Sequence, residues 1–382
     1  MRKDNLMSLD RRSFLRAVGV GGAGAVLVGA RGREAWAGEP FVVPSFPPYV
    51  DIRLDSNENP LGPPAESLRA MTDWYGEANR YPDLMFDGLY EGISRYVGAP
   101  RESILLGSGS GEILKVSTEV FGGHGRAVVV GGPTFETPER RAKTLEYPVT
   151  IVPVDTRLRL DLDATVHACT GAGLVFLCNP NNPTGTVHGA GDMRAAIAAM
   201  LRDAPNVTVL VDEAYHEYVD DPAYASLVPL ALEEPRVIVS RTFSKAFGMA
   251  GLRLGYAVGQ PATLERMKPH LVPNNANQLV GKAATVALAM PQHIDGERER
   301  NAEARRWTID FFRKAGYAVA PSAANFLMVD VRRDAKAFRE ACRERGVQVG
   351  RPFPPLITQS RISIGTLDEM KRASEVFREV LA

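Results

Sequence analysis

The sequence carries no excess of charge of either sign: 45 lysine and arginine side chains balance 45 aspartates and glutamates. No basic stretch is interleaved with aromatics, so the electrostatic footprint of a nucleic-acid binder is missing and a small molecule is the expected partner. Cysteine is scarce. Cys169, Cys178 and Cys342 are odd in number and show no C-x-x-C spacing, which argues against a disulfide framework and suggests no zinc site. The six histidines form no H-E-x-x-H or comparable pair, leaving a metal mechanism without support. Low-complexity tracts and internal repeats are missing too. With 45% apolar and 24% charged residues, neither a disordered chain nor a solenoid is expected.

What is present begins with an unusual N-terminus. Arg11-Arg12-Ser13-Phe14-Leu15-Arg16 precedes an uncharged, Gly/Ala/Val-rich run over residues 17–30, and Ala35-Trp36-Ala37 matches a small-x-small cleavage site. Residues 1–37 read as a twin-arginine signal peptide, so the expected mature protein begins at Gly38, is exported to the periplasm and keeps no stable membrane anchor after cleavage. The run is shorter than the roughly 20 apolar residues needed to span a bilayer. It also contains a formal G-x-G-x-x-G match at Gly19 to Gly24. A charged segment precedes it where a dinucleotide site needs a strand, so the match is accidental.

A length of 382 residues suits two packed domains, since one domain usually takes about 100 to 200 residues. Residues 38–75 are expected to form a Pro-rich N-terminal arm and the start of the small domain. Residues 76–285 would form the large domain, and 286–382 the small C-terminal α+β domain. From Asp87 onward helical and strand-like segments alternate, which points to an α/β fold whose mostly parallel sheet is sandwiched by helices.

Three short apolar segments, 174–178, 207–211 and 237–240, read as strands buried on both faces. Each runs straight into polar residues: Asn179 to Gly185, then Asp212 to Tyr215, then Arg241 to Lys245. In open parallel sheets the ligand sits outside the carboxyl ends of the strands, so the three polar clusters are expected to converge on one crevice.

Lys245 lies in TFSKAFGMAGLRLGY, with hydroxyls at Thr242 and Ser244, and Arg253 eight residues on. A lysine after a strand is usually a solvated surface residue. Hydroxyls beside one guanidinium, however, make a cup for phosphate, because arginine forks onto phosphate oxygens. Asp212 would sit deep in the crevice, where a carboxylate is costly unless it faces a cation; it also suits a helix N-cap. The Gly/Ser loop at Gly107 to Gly111 opens a helical run, so free N–H groups there suit an anion, and an ordinary turn suits it equally. A lysine able to form an imine, an acid in the crevice and a phosphate cup are what a pyridine aldehyde with a phosphate tail demands.

In order along residues 50–375, the segments SNENPLGPP, RYPD, GSGSGEI, PTFETP, NPNNPTGT, VDEAYHEY, TFSKAFGMAGLRLGY, NF and RISIGT resemble the fold-type I class I/II aminotransferases that use pyridoxal 5'-phosphate. They are most similar to the histidinol-phosphate aminotransferase-like branch. The resemblance implies Lys245 as the imine-forming lysine and proton shuttle, Asp212 on the pyridine nitrogen, and Tyr215 with Asn182 on the phenolic oxygen. It implies Phe135 stacked on the ring, with Ser110, Gly111, Thr242, Ser244 and Arg253 on the phosphate. Arg361, Asn59 and Arg351 would meet the substrate. Tyr81 would reach the phosphate of a partner subunit in a homodimer.

One departure from the pattern is informative. The branch usually places a second arginine directly after G-V-x-V to help hold the substrate's phosphate, whereas here Gly350 follows Val349 and Arg351 comes one residue later. The expectation is therefore an α-amino acid donor and a 2-oxo acid acceptor in a ping-pong reaction, with histidinol phosphate disfavoured. A decarboxylase or oxidase of the same fold, or a non-catalytic periplasmic binder of the cofactor or of amino acids, remains open from sequence alone.

Overall fold

A strand covered on both sides must be apolar at every position, and successive side chains must then feed two different cores. In the computed structural model, which describes residues 51–82 and 85–382, the central sheet does this. After the short β1 (Ile52–Leu54), the sheet strands are β2 (Ile104–Gly107), β3 (Ala127–Gly132), β4 (Val149–Pro153), β5 (Ala172–Cys178), β6 (Thr208–Asp212), β7 (Val237–Thr242) and β8 (Gly255–Val258). Val129, Val175, Val209, Val211, Val237 and Val239 enter one core, while Val128, Val130, Leu174, Phe176, Leu210 and Ile238 enter the other. Each fully buried side chain of this size contributes about 1.5–3 kcal/mol relative to exposure.

The strand order is β2-β8-β7-β6-β5-β3-β4. All neighbours are parallel except β8, which runs antiparallel to both β2 and β7. The register pairs Cys178 with Asp212 and Asp212 with Ser240, so the carboxyl ends of β5, β6 and β7 stand side by side. The three expected strands are therefore present within one or two residues at each end, and the polar clusters after them do share one edge.

Two helices matter for what lies there. Helix α1 (Ser110–Phe121) follows β2 and is entered through Gly109 at φ 73°, and α2 (Thr137–Thr144) follows β3. A separate hydrophobic core gathers Ile52 and Leu54 with Phe312, Phe338 and Phe377, and with Leu327 and Val329 of β9 (Phe326–Asp330). β1 pairs in parallel with β10 (Val347–Val349), and β9 pairs antiparallel with β11 (Gln359–Ser363). Residues on both sides of the large sheet in sequence thus meet in one small layer of two two-stranded sheets around a shared core, and Tyr49–Ala382 forms one compact unit. The expected signal peptide and the prolines at 44, 47 and 48 lie outside the described residues. Among the described residues no helix is long and apolar enough to cross a membrane.

Candidate active site

The carboxyl ends of β5, β6 and β7 open onto a cavity of about 480 Å³. Its wall includes Ser110, Gly111, Phe135, Asn182, Asp212, Tyr215, Thr242, Ser244, Lys245, Arg253, Arg351 and Arg361. Twelve side chains or backbone groups singled out in the sequence therefore converge on it. Two do not. Tyr81 is 78% exposed and does not line the cavity. Asn59 is a correction: its Nδ2 donates to the Ala246 carbonyl at 3.0 Å and its Oδ1 accepts from the Leu61 N–H at 2.9 Å, and it does not line the cavity. Its neighbour Asn57 does.

Asp212 closes β6 at 2% exposure, and its Oδ1 has no hydrogen-bond partner within the protein. Burial pushes its carboxyl up to about 7; the nearby Glu213 carboxylate adds to the rise, while the Ser240 hydroxyl and the Lys245 ammonium oppose it. A buried, orphaned carboxylate oxygen at a strand end is an acceptor waiting for a cationic N–H donor. A protonated pyridine nitrogen meets that need, so the residues present fit the expected cofactor.

Lys245 faces the same space. Its Nζ donates to the Ser56 carbonyl at 3.2 Å and the Asn57 carbonyl at 3.1 Å. Burial lowers its ammonium to about 8, and the guanidiniums of Arg361 and Arg253 push the same way. The Tyr215 phenol accepts from Asn57 Nδ2 at 3.1 Å, and its ring meets Phe326 edge-on with centroids 5.1 Å apart. Burial raises that phenol well above its ordinary range. Asn57 itself sits at φ 55°, a conformation Asn tolerates better than most residues, and is fixed by Ser363 on both its N–H and its Oδ1. This strained, buried junction ties Lys245 and Tyr215 to β11.

The anion cup is built from α1 and the loop after β7. The Ser110 and Gly111 N–H groups at the start of α1 have no carbonyl one turn earlier to bind, whereas the Glu112 N–H donates to the Gly109 carbonyl at 3.3 Å. Arg253, at φ 60°, donates to the Ser244 hydroxyl at 3.3 Å and the Ala250 carbonyl at 2.8 Å. A Cβ on Gly109 would lie 2.2 Å from the Arg253 Nη2, so glycine at 109 lets the guanidinium approach the helix entry. The Glu112 carboxylate accepts from the Ser108 N–H and from Asn275 Nδ2, both at 2.7 Å, holding the loop's shape.

Arg361, on β11, enters from the opposite side. Its Nη1 donates to Asn182 Oδ1 at 2.7 Å and its Nη2 to the Asp55 carbonyl at 2.6 Å. The Asn182 oxygen is thus engaged, and its Nδ2 is the group left to donate into the cavity. Gly350 has a structural reason to be glycine: a Cβ there would come 2.7 Å from the Arg361 carbonyl oxygen. Arg351 instead reaches across the cavity mouth to Glu136 at 2.5 Å. Asn57, Glu136, Arg140 and Phe353 are cavity residues that the sequence did not reveal.

The sequence model of the family described as aminotransferase class I and II matches residues 50–377. The chain is 36% identical to the histidinol-phosphate aminotransferase of Moorella thermoacetica over 336 residues, covering 87% of this chain and 86% of that protein. It is 34% identical to the aromatic amino acid aminotransferase of Streptomyces avermitilis over 311 residues, covering 80% of this chain and 84% of that one. The crystal structure of the Sinorhizobium meliloti histidinol-phosphate aminotransferase in complex with pyridoxal-5'-phosphate superposes with a TM-score of 0.81 at 27% identity, covering 87% of this chain and 91% of that one.

Proposed function

The chain belongs to the class I and II aminotransferases and is a pyridoxal 5'-phosphate enzyme, and from that premise we propose that it transfers the amino group of an α-amino acid, held by Arg361, to a 2-oxo acid. The observation that carries this reading is the pairing at Arg361: its guanidinium lines the cavity on β11 while Arg351 is tied to Glu136. A single fork suits one carboxylate, whereas a phosphate monoester carries more charge and recruits further donors. The aromatic amino acid aminotransferases among the relatives support the same choice. The test is a donor panel: an α-amino acid should give a higher kcat/KM than histidinol phosphate, and the reverse order would remove this proposal.

The roles we assign rest on the family resemblance and on the convergence of these residues on one cavity. When bound, the cofactor supplies a carbonyl for the incoming amino group and a ring that draws electrons from the substrate Cα. Asp212 Oδ1 would hold the proton on the ring nitrogen. Lys245 Nζ would attach the cofactor and move the Cα proton; in the cofactor-free protein its ammonium is already lowered to about 8, first by burial. Tyr215 and the Asn182 Nδ2 would hold the phenolic oxygen. The α1 N–H groups, Thr242, Ser244 and Arg253 would hold the phosphate, Phe135 would lie against the ring, and Arg361 would hold the substrate carboxylate.

We also propose a homodimer in which Tyr81 completes the partner subunit's phosphate cup. Its 78% exposure supports a position available to a partner, and Leu61, Leu68, Tyr75 and Val272 are exposed apolar side chains as well. Light scattering should find a dimer; an active monomer contradicts it. Arg11-Arg12 and Ala35-Trp36-Ala37 support export to the periplasm by the twin-arginine route. Changing both arginines to lysine should retain the protein in the cytoplasm, and unaltered fractionation would refute that route.

A further inference from the structure

Glu136 precedes α2 at the position of a helix cap, yet its side chain accepts nothing from the helix N–H groups. One carboxylate oxygen receives the Arg351 guanidinium at 2.5 Å and the other receives the guanidinium of Arg140. Arg351 follows β10, so this pair bridges the cavity mouth between α2 and the small sheet layer. Phe353 closes the same edge, its ring centre 4.2 Å from the Arg351 guanidinium carbon and 4.8 Å from that of Arg361. A second cavity of about 510 Å³ lies beyond, sharing Thr134, Glu136, Arg140 and Phe353 with the first. Its far wall includes Pro133, Ile151 and Pro153.

We propose that Glu136 is a specificity-determining residue that excludes substrates with a second anionic group and favours apolar side chains directed past Phe353 toward the second cavity. The inference rests on Arg361 as the holder of the α-carboxylate. Arg351 and Arg140 are the cations at the mouth beside the side-chain route, and one carboxylate occupies both; Lys143 in the second cavity is paired in the same way, with Glu139 at 2.5 Å. A distal carboxylate or phosphate on the substrate must displace Glu136 and leave it facing the newcomer, like charge against like, so the exchange gains little. An apolar side chain disturbs no ion pair and covers the Phe353 ring and the proline-lined wall, gaining by area removed from water.

The test measures binding by calorimetry to the cofactor-loaded protein, using pentanoate, with one carboxylate, and glutarate, with two. Wild type should bind pentanoate at least as tightly as glutarate. Glu136→Gln should shift the ratio of dissociation constants toward glutarate by about tenfold, equivalent to about 1.4 kcal/mol. Adding Arg351→Gln should cancel most of the shift. Glu136→Ser is the second variant: serine is a good helix cap, so its stability should not fall, and it should show the same shift. An unchanged ratio in either folded variant overturns the proposal, as does a shift that survives Arg351→Gln in full. The parent reading fails separately: pentanoate binding that is insensitive to Arg361→Ala would remove Arg361 as the carboxylate site while leaving the Glu136 ratio to stand or fall by itself.

Discussion

At the cavity floor Asp212 is 2% exposed and held at the end of a strand paired on both sides, whereas at the mouth the side chains of Glu136, Arg351 and Arg140 are 30%, 43% and 73% exposed and sit on a helix entry, a loop and a helix surface. The floor's charges have been taken out of water by the fold itself, so their protonation is set by burial and by each other. Those at the mouth stay in contact with water, and exposed pairs of this kind are worth only about 0.2–1 kcal/mol each. The chemistry is therefore fixed by rigid elements that cannot vary cheaply, and the choice of substrate by contacts that can.

The contrast predicts graded effects. Lys245→Ala should produce the largest: loss of the visible absorption of bound cofactor and of turnover by at least about four orders of magnitude, on the scale of a deleted nucleophile. Borohydride reduction of the wild type followed by peptide mapping should label Lys245, and a label on another lysine breaks the assignment. Asp212→Asn should retain some cofactor yet lose about three orders of magnitude in rate, roughly 4 kcal/mol; a near-normal rate would mean that Asp212 is only a structural carboxylate. Arg361→Ala, nearer the mouth, should cost about 2–4 kcal/mol in kcat/KM for the α-amino acid, the range for leaving a bound charge unpaired.

A measurement on stability rather than rate sharpens the account of the floor through pH. In the cofactor-free protein the Asp212 carboxyl is raised from 3.8 to about 7, so folding takes up a proton between those values. Its contribution is favourable below about pH 4 and is lost as pH rises to about 7, beyond which the penalty stays constant. Thermal unfolding of cofactor-free protein should show the wild type losing stability relative to Asp212→Asn across that window. Parallel curves for the two proteins would contradict the burial argument.

The floor was legible in the sequence because double burial leaves a plain signal. Residues 174–178, 207–211 and 237–240 are apolar at each position and then abruptly polar, and the parallel sheet brings those junctions together whatever the loops do. Asn59 was misplaced because both it and Asn57 lie in the same SNENP run. Which one faces the cavity depends on the positive φ at Asn57, which residue types alone do not specify. Glu136 escaped notice for a related reason: an acidic residue at a helix entry ordinarily reads as a favourable partner of the helix dipole. Only the position of Arg351 on a distant loop turns it toward the mouth. The close backbone approach of Arg361 to Gly350 is another contact that residue order alone does not specify.

The central claim is that the floor, with Arg361 above it, takes an amino group from an α-amino acid without any acceptor present. The direct measurement is rapid mixing of cofactor-loaded enzyme with an α-amino acid alone, following the visible absorption and the products. The account predicts loss of the visible band with one 2-oxo acid and one pyridoxamine phosphate formed per active site, and no carbon dioxide. Release of carbon dioxide, or conversion by histidinol phosphate where no α-amino acid converts, would contradict it.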